Sequence, residues 1–353
     1  MPAFDNFSGK ISAETFKEEL LHKTGYSRPE VVTGPQFGVD TSTIDIGNDM
    51  GLIAASDPLS LIPSLGMKIS AYLSVHLISN DICTTGYSPQ YAQFVLNLPP
   101  YLTQEQFREY WGWIHELCSQ NQIAITGGHT GQIPGQESTI SGGGTMFAVA
   151  PLSKILHSSG AKANDSIIMT KSAALSSTSL LALAFPEKVA ESIGELALKK
   201  AQANFWNISV LKESQIAAQV LTPHTQLRAM HDVTEGGILG AVNEMATASG
   251  LGFEIDTAAI NLKTEVAQVA ELFGIDPLFS IGAGSMLIAV EPNSAEKLLD
   301  SLREQDIHAN IIGRFTEKQE KSLLHNGQRE EFEFDGTDPY WQAFFNALNL
   351  NWR

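Results

Sequence analysis

Hydrophobic and polar positions follow two rhythms along this chain. Ile69, Leu73 and Leu77 recur every four residues, with Val75, Ile78 and Ile82 widening the stripe, which predicts a helix from Ile69 to Thr85 stopped by Gly86. Phe107, Trp111, Ile114 and Leu117 predict another over Thr103–Gln120, opened by a Thr103/Gln106 capping box. A short helix is expected over Ser12–Lys23, with Phe16, Leu20 and Leu21 on one side. Alternating or apolar runs predict strands at TSTIDI after Asp40, at Gly51–Ser56 ending on Asp57-Pro58, at Tyr91–Leu98, at IAIT and at Thr145–Ala150.

A small, polar, turn-rich stretch from Pro151 to Asp165 breaks the pattern, which then restarts. The second half predicts strand Ser166–Thr170, helix Ser177–Phe185, two more helical stretches and strand Leu227–Met230. His231–Asp256 follows as a loop, an amphipathic helix carrying Ile238, Leu239, Val242 and Met245, and a short strand. Helices at Thr264–Phe273 and Ser294–Arg303 and strands at Ser285–Val290 and Ala309–Phe315 complete it. Mixed elements in both halves predict two α/β domains, residues 1–152 and 153–320. An extension, 321–353, carries Tyr340, Trp341, Phe344, Phe345 and Leu348 at helical spacing, which predicts a helix docked on the chain itself or on a second subunit.

A length of 353 residues suits two domains. The net charge of −17, from 39 acidic and 22 basic residues, argues against a nucleic-acid footprint. It is compatible with nucleotide when metal ions bridge carboxylates to phosphate. The start, MPAFDNFSGK, shows no secretory pattern and no apolar run is long enough to span a bilayer. Two cysteines, Cys83 and Cys118, argue against a disulfide framework, so a cytoplasmic protein is expected.

Candidate chemistry sits at breaks in the pattern. Asp40, behind two glycines and a proline, suits either a turn aspartate or a ligand. Asp57 starts a turn or reaches a crevice beyond its strand. Asp81, beside Asn80, lies at the unfavourable end of its helix dipole and calls for a cationic partner, whereas His76 suits packing. Gly127, Gly128 and His129 form a glycine-rich turn that could approach phosphate, without any Walker motif; His129 suits a phosphate donor, a substrate contact or a plain loop residue. Asp232, Thr234, Glu235, Gly236 and Gly237 form a polar mouth on the helix that carries Ile238, Leu239, Val242 and Met245. Glu235 fits either a base or metal-water contact, or simply the helix dipole.

The segments FGVDTSTIDIG, ASDP, VHLISNDICTTGYSP, TGGHTG, AMHDVTEGGILGAVNEMATASGLGFEID and GAGSMLIAV occur in an order that resembles the AIR synthase-related (PurM-like) superfamily. The resemblance spans about residues 9–316 and is nearest to the hydrogenase-maturation branch, HypE, including GKIS near the start. It implies an N-terminal domain forming a β-barrel across a homodimer, a C-terminal α/β domain, and ATP held with Mg²⁺. Asp40, Asp57, Asp81 and Asp232 would then be metal ligands, with Asp57 and Asp232 catalytic. Asp40, Asn80, Gly127, Gly128, His129, Thr234, Gly236 and Gly237 would line the nucleotide. Two carboxylates 4 Å apart repel by about 4 kcal/mol at an effective dielectric of 20, so such a set stays ionised only around cations.

Departures bear on the reaction. The maturation branch carries its group on a C-terminal cysteine, whereas this sequence has none after Cys118, and none precedes Asp40, where selenophosphate synthetases hold a reactive one. The glycine-rich turn after strand 166–170 reads KSAALSSTSLLA. Three expectations follow: ATP-dependent phosphoryl transfer to, or activation of, an unidentified small-molecule acceptor; a nucleotide-binding accessory protein without turnover; or a maturation factor acting in trans on a partner's cysteine.

Overall fold

The computed structural model describes residues 10–136 and 139–353; the start of the chain, including Gly9 of GKIS, lies outside them. Ser12 caps α1 (Ala13–Thr15), which continues as a single π-type turn over Phe16–Leu20. Neither piece buries a residue, so no packed face sustains the longer helix expected there.

The first half then runs β1 (Val31–Thr33), β2 (Ser42–Gly47), β3 (Met50–Ser60), α2 (Met67–Cys83), β4 (Tyr91–Leu98), α3 (Gln104–Gln120), β5 (Ala124–Gln132) and β6 (Ile140–Pro151). The strands form one sheet in the order β1-β2-β3-β6-β4-β5. α2 and α3 cover one face, burying Ile53, Leu59, Ile78, Ile82, Phe94 and Ile114. The predicted capping box on α3 is present, with both hydrogen bonds made.

Two breaks expected from glycine and proline are not breaks. β3 runs through Asp57-Pro58 to Ser60, paired with β6, and β5 runs through Gly127, Gly128 and His129, paired with β4. Glycine serves close packing here rather than turning: a Cβ on Gly128 would overlap the Phe94 carbonyl oxygen, and one on Gly144 would lie within 2.6–3.1 Å of Ile78, Phe94 and Leu59.

In the second half, β7 (Ser166–Thr170) is followed by α4 (Leu175–Ala184), α5 (Pro186–Ile193), α6 (Glu195–Asn204) and α7 (Leu211–Val220), one helix more than expected. β8 (Leu227–Asp232), α8 (Gly237–Ser249), β9 (Gly252–Asp256), α9 (Thr264–Phe273), β10 (Met286–Val290), α10 (Ala295–Arg303), β11 (Ala309–Thr316), β12 (Lys321–His325), β13 (Gln328–Glu331) and α11 (Pro339–Asn349) complete the described chain. Its sheet has the order β13-β12-β9-β11-β7-β10-β8. β12 pairs parallel with β9 and antiparallel with β13, so residues 321–331 extend this sheet.

The aromatic helix docks in cis. Tyr340, Ala343 and Ala347 are buried against Phe185, Val189, Leu198 and Val269, with Phe344 and Trp352 packed at the margin. Among the described residues no helix is long and apolar enough to cross a membrane, and both cysteines are free and buried.

Candidate active site

Residues from both halves come together at one place. Asp40 lies on the loop between β1 and β2, Asp57 within β3, Asp81 near the end of α2, and His231 and Asp232 at the end of β8 rather than in the expected loop. β8 extends that far because His231 and Asp232 pair with Leu287 and Met286 of β10. The approach of the halves depends on Gly38: at φ +73°, with a would-be Cβ only 2.5 Å from the Glu244 carbonyl oxygen, it lets the Asp40 loop lie on α8.

Ligand atoms of Asp40, His231 and Asp232 lie within 4.8 Å of one another. His231 is not free to ligate metal, however. Its Nδ1 is 2.8 Å from Asp40 Oδ2 and its Nε2 is 3.1 Å from Glu244 Oε2. Ionised carboxylates only accept, so with both acids charged each ring nitrogen carries a proton and the imidazolium stands as a cation between them. Burial alone would lower its pKa, yet Asp40 and Glu244 lift it to about 10. Glu244 is in turn held below its ordinary value: burial opposes this, but Lys10 and His231 outweigh it.

The aspartates behave as one set. Burial first, then the neighbouring Asp40 charge, pushes Asp232 up to about 7 against the pull of His231 and Lys10. Burial pushes Asp57 up to about 6, opposed by Lys10. Asp81 is driven well above the carboxylate range by burial and then by Asp232, Asp40 and Asp57. Asp232 Oδ2 is buried without a hydrogen-bond partner among the described residues. An orphaned, crowded carboxylate oxygen is the donor that a hard divalent cation requires.

Sequence reasoning missed Lys10, His231 and Glu244. Lys10 reaches across 224 residues to donate its ammonium to Thr234 Oγ1 at 2.8 Å, and lies 3.9 Å from Glu244 Oε2. Although 54% of its side chain stays exposed, the charges of Glu244, Asp232, Asp40 and Glu235 outweigh burial and raise its pKa. This is the cation that Asp81 called for, shared by the whole set rather than paired with it. A glutamate inside the apolar run of α8 was the one local signal available for Glu244.

Several expected nucleotide contacts are placed elsewhere. Asn80 is fully buried and its amide is committed, donating to Ile208 O at 2.8 Å and accepting from Val210 N–H at 3.0 Å, so it clamps the two halves together. Gly128 shares a cross-strand row with Phe94, Gly144 and Asp57, which places it three strands, roughly 14 Å, from Asp57. Gly127 and His129 share that edge strand, away from the aspartates. The Gly236 N–H donates to Asp338 Oδ2 at 2.8 Å and the Gly237 N–H to Thr234 O at 3.2 Å, so neither is free for phosphate. Trp341 Nε1 reaches Glu235 at 3.4 Å, making the C-terminal helix a wall of this mouth. The turn at 171–174 takes left-handed conformations at Lys171 and Ala174 without glycine. It is tied down by Lys171 Nζ, which donates to Asn207 O and Ser209 O and forms an ion pair with buried Glu213. His76 packs on Tyr72, ring centroids 4.2 Å apart.

Residues 38–150 match the N-terminal domain of AIR synthase related protein, and residues 162–326 match its C-terminal domain. Over 327 residues the chain is 27% identical to a Methanocaldococcus jannaschii protein named for hydrogenase expression and formation, covering 90% of each. It is 26% identical to a selenide, water dikinase of Methanococcus maripaludis, over 78% of this chain and 83% of that one. A solved structure of the hydrogenase maturation protein HypE in complex with ATP superposes with a TM-score of 0.67 at 17% identity, covering 95% of this chain and 98% of that one.

Proposed function

The chain belongs to the AIR synthase related protein family, and from that membership we propose that it is an ATP- and Mg²⁺-dependent enzyme that transfers phosphoryl to, or activates, a small-molecule acceptor. The observation that carries this reading is the convergence of Asp40, Asp57, Asp81 and Asp232, with Asp232 Oδ2 left unpartnered. The donor set fits Mg²⁺, which prefers carboxylate oxygen and keeps several waters. Asp40, Asp57, Asp81 and Asp232 would hold it, and the bound ion would neutralise charge on the phosphates. Relatives point the same way: one is a selenide, water dikinase and another was solved in complex with ATP.

The chain's own groups have definable parts. His231 and Lys10 limit the repulsion among the aspartates, and Lys10 and Thr234 stand ready to meet phosphate oxygens at the mouth. The tail helix, through Asp338 and Trp341, shields that mouth from water. A homodimer completes the reading. The sheet face away from α2 and α3 exposes Ile46, Tyr91 and Val95, a surface suited to closing a barrel with a second copy.

Phosphorus NMR of ATP incubated with the chain and a panel of carboxylate, amide, carbamoyl and phosphate-ester acceptors tests the reading. Mg²⁺-dependent ADP formation with at least one acceptor-dependent new resonance is expected. ATP left intact with every acceptor, in the presence of Mg²⁺, sinks the enzyme reading.

A further inference from the structure

We propose that Glu244 is a positioning residue for the metal site: it fixes the His231 ring and, through that ring, aims the Asp40 carboxylate. The inference rests on reading the aspartate set as a metal–nucleotide site.

The geometry is a relay across the two halves. Glu244 Oε2 holds His231 Nε2, and His231 Nδ1 holds Asp40 Oδ2, where the Ser158 hydroxyl also donates at 2.8 Å. Both donors converge on one Asp40 oxygen, which orients the carboxylate and leaves Oδ1 without a hydrogen-bond donor among the described residues. A cation can therefore take Oδ1 without breaking the relay. Hydrogen bonds behind a ligating carboxylate orient it, and their loss costs about 10–100-fold in metal affinity.

Glu244 is placed for this role at some cost. It sits among the apolar residues Leu239, Val242 and Met245 of α8, with its side chain only 13% exposed. A carboxylate there is tolerated only when paired. The backbone at Glu244 also receives the Asp40 loop through Gly38, so helix and loop have little slack between them. Lys10, 3.9 Å from the same oxygen, supplies the competing explanation: Glu244 could serve to hold Lys10 instead.

The test is equilibrium dialysis of labelled ATP over a Mg²⁺ series with the full chain, its variants and their melting temperatures. Glu244→Ala is expected to raise the half-saturating Mg²⁺ concentration by about 10–100-fold. Glu244→Gln, which keeps an acceptor oxygen for the ring N–H, recovers most of that loss. In a His231→Ala background Glu244→Ala adds no further shift, because it acts through the ring. An unchanged Mg²⁺ requirement in folded Glu244→Ala overturns the inference alone. So does a shift that persists without His231 but vanishes in Lys10→Ala. A wild-type chain whose ATP binding ignores Mg²⁺ overturns the site reading and this inference together.

Discussion

Asp232→Asn is expected to abolish metal-dependent turnover while making the metal-free fold more stable. Removing a group that stabilises developing charge costs about 10²–10³-fold in rate, and Asp232 is the carboxylate whose Oδ2 has no partner among the described residues. The stability gain has a pH signature. In the unfolded chain an aspartate ionises near pH 4, whereas folded Asp232 is pushed up to about 7. Between those values the folded state holds a proton that the unfolded state has released, so the contribution of this group is full below about pH 4 and lost as pH rises through 7. Asparagine has nothing to lose, and the melting temperatures of variant and wild type should separate between pH 4 and 7 in EDTA. Saturating Mg²⁺ should close the gap by stabilising only the wild type. Identical melting curves at pH 5 and pH 8 without metal would show that Asp232 is not a crowded carboxylate.

Tyr340→Ala should be the most damaging single change in the C-terminal segment. Tyr340 is buried among Phe185, Val189 and Val269 with only 6% of its surface exposed, and emptying an aromatic site of that kind costs about 3–5 kcal/mol. Deleting residues 338–353 should cost more, since it also strips Phe344 and Trp352 from the same cluster and frees the Gly236 N–H from Asp338. Chemical denaturation with circular dichroism measures both. A truncated chain that unfolds at the wild-type midpoint would contradict the cis docking and return the helix to the role of a partner-binding arm.

What was legible in the sequence follows from how local each cause is. α3 declares itself because burial of one face repeats every three to four residues and its capping box spans only four positions, whereas α2 and α8, buried on most sides, declare themselves as long apolar runs. Asp40, Asp57, Asp81 and Asp232 were gathered by the ordered segments of the family, and the fold brings them within reach of one another's charge. Asp57-Pro58 and the Gly127–Gly128 pair were misread because glycine and proline usually end strands, whereas this sheet needs bare backbone where Phe94 crosses Gly128 and helix α2 presses on Gly144. Asn80 was assigned to nucleotide because it neighbours Asp81, yet its amide faces Ile208 and Val210, 128 and 130 residues away. Lys10 and Glu244 stayed hidden for the same reason: their meaning comes from residues that only the closed fold places beside them.

The central claim, that the four aspartates form a metal-dependent ATP site, is tested most directly by calorimetry of ATP binding with Mg²⁺ and with EDTA, for wild type and Asp40→Asn. Mg²⁺ should strengthen wild-type binding, and Asp40→Asn should lose about tenfold or more of that gain while binding without metal stays as it was. ATP affinity indifferent to both metal and substitution would contradict the account.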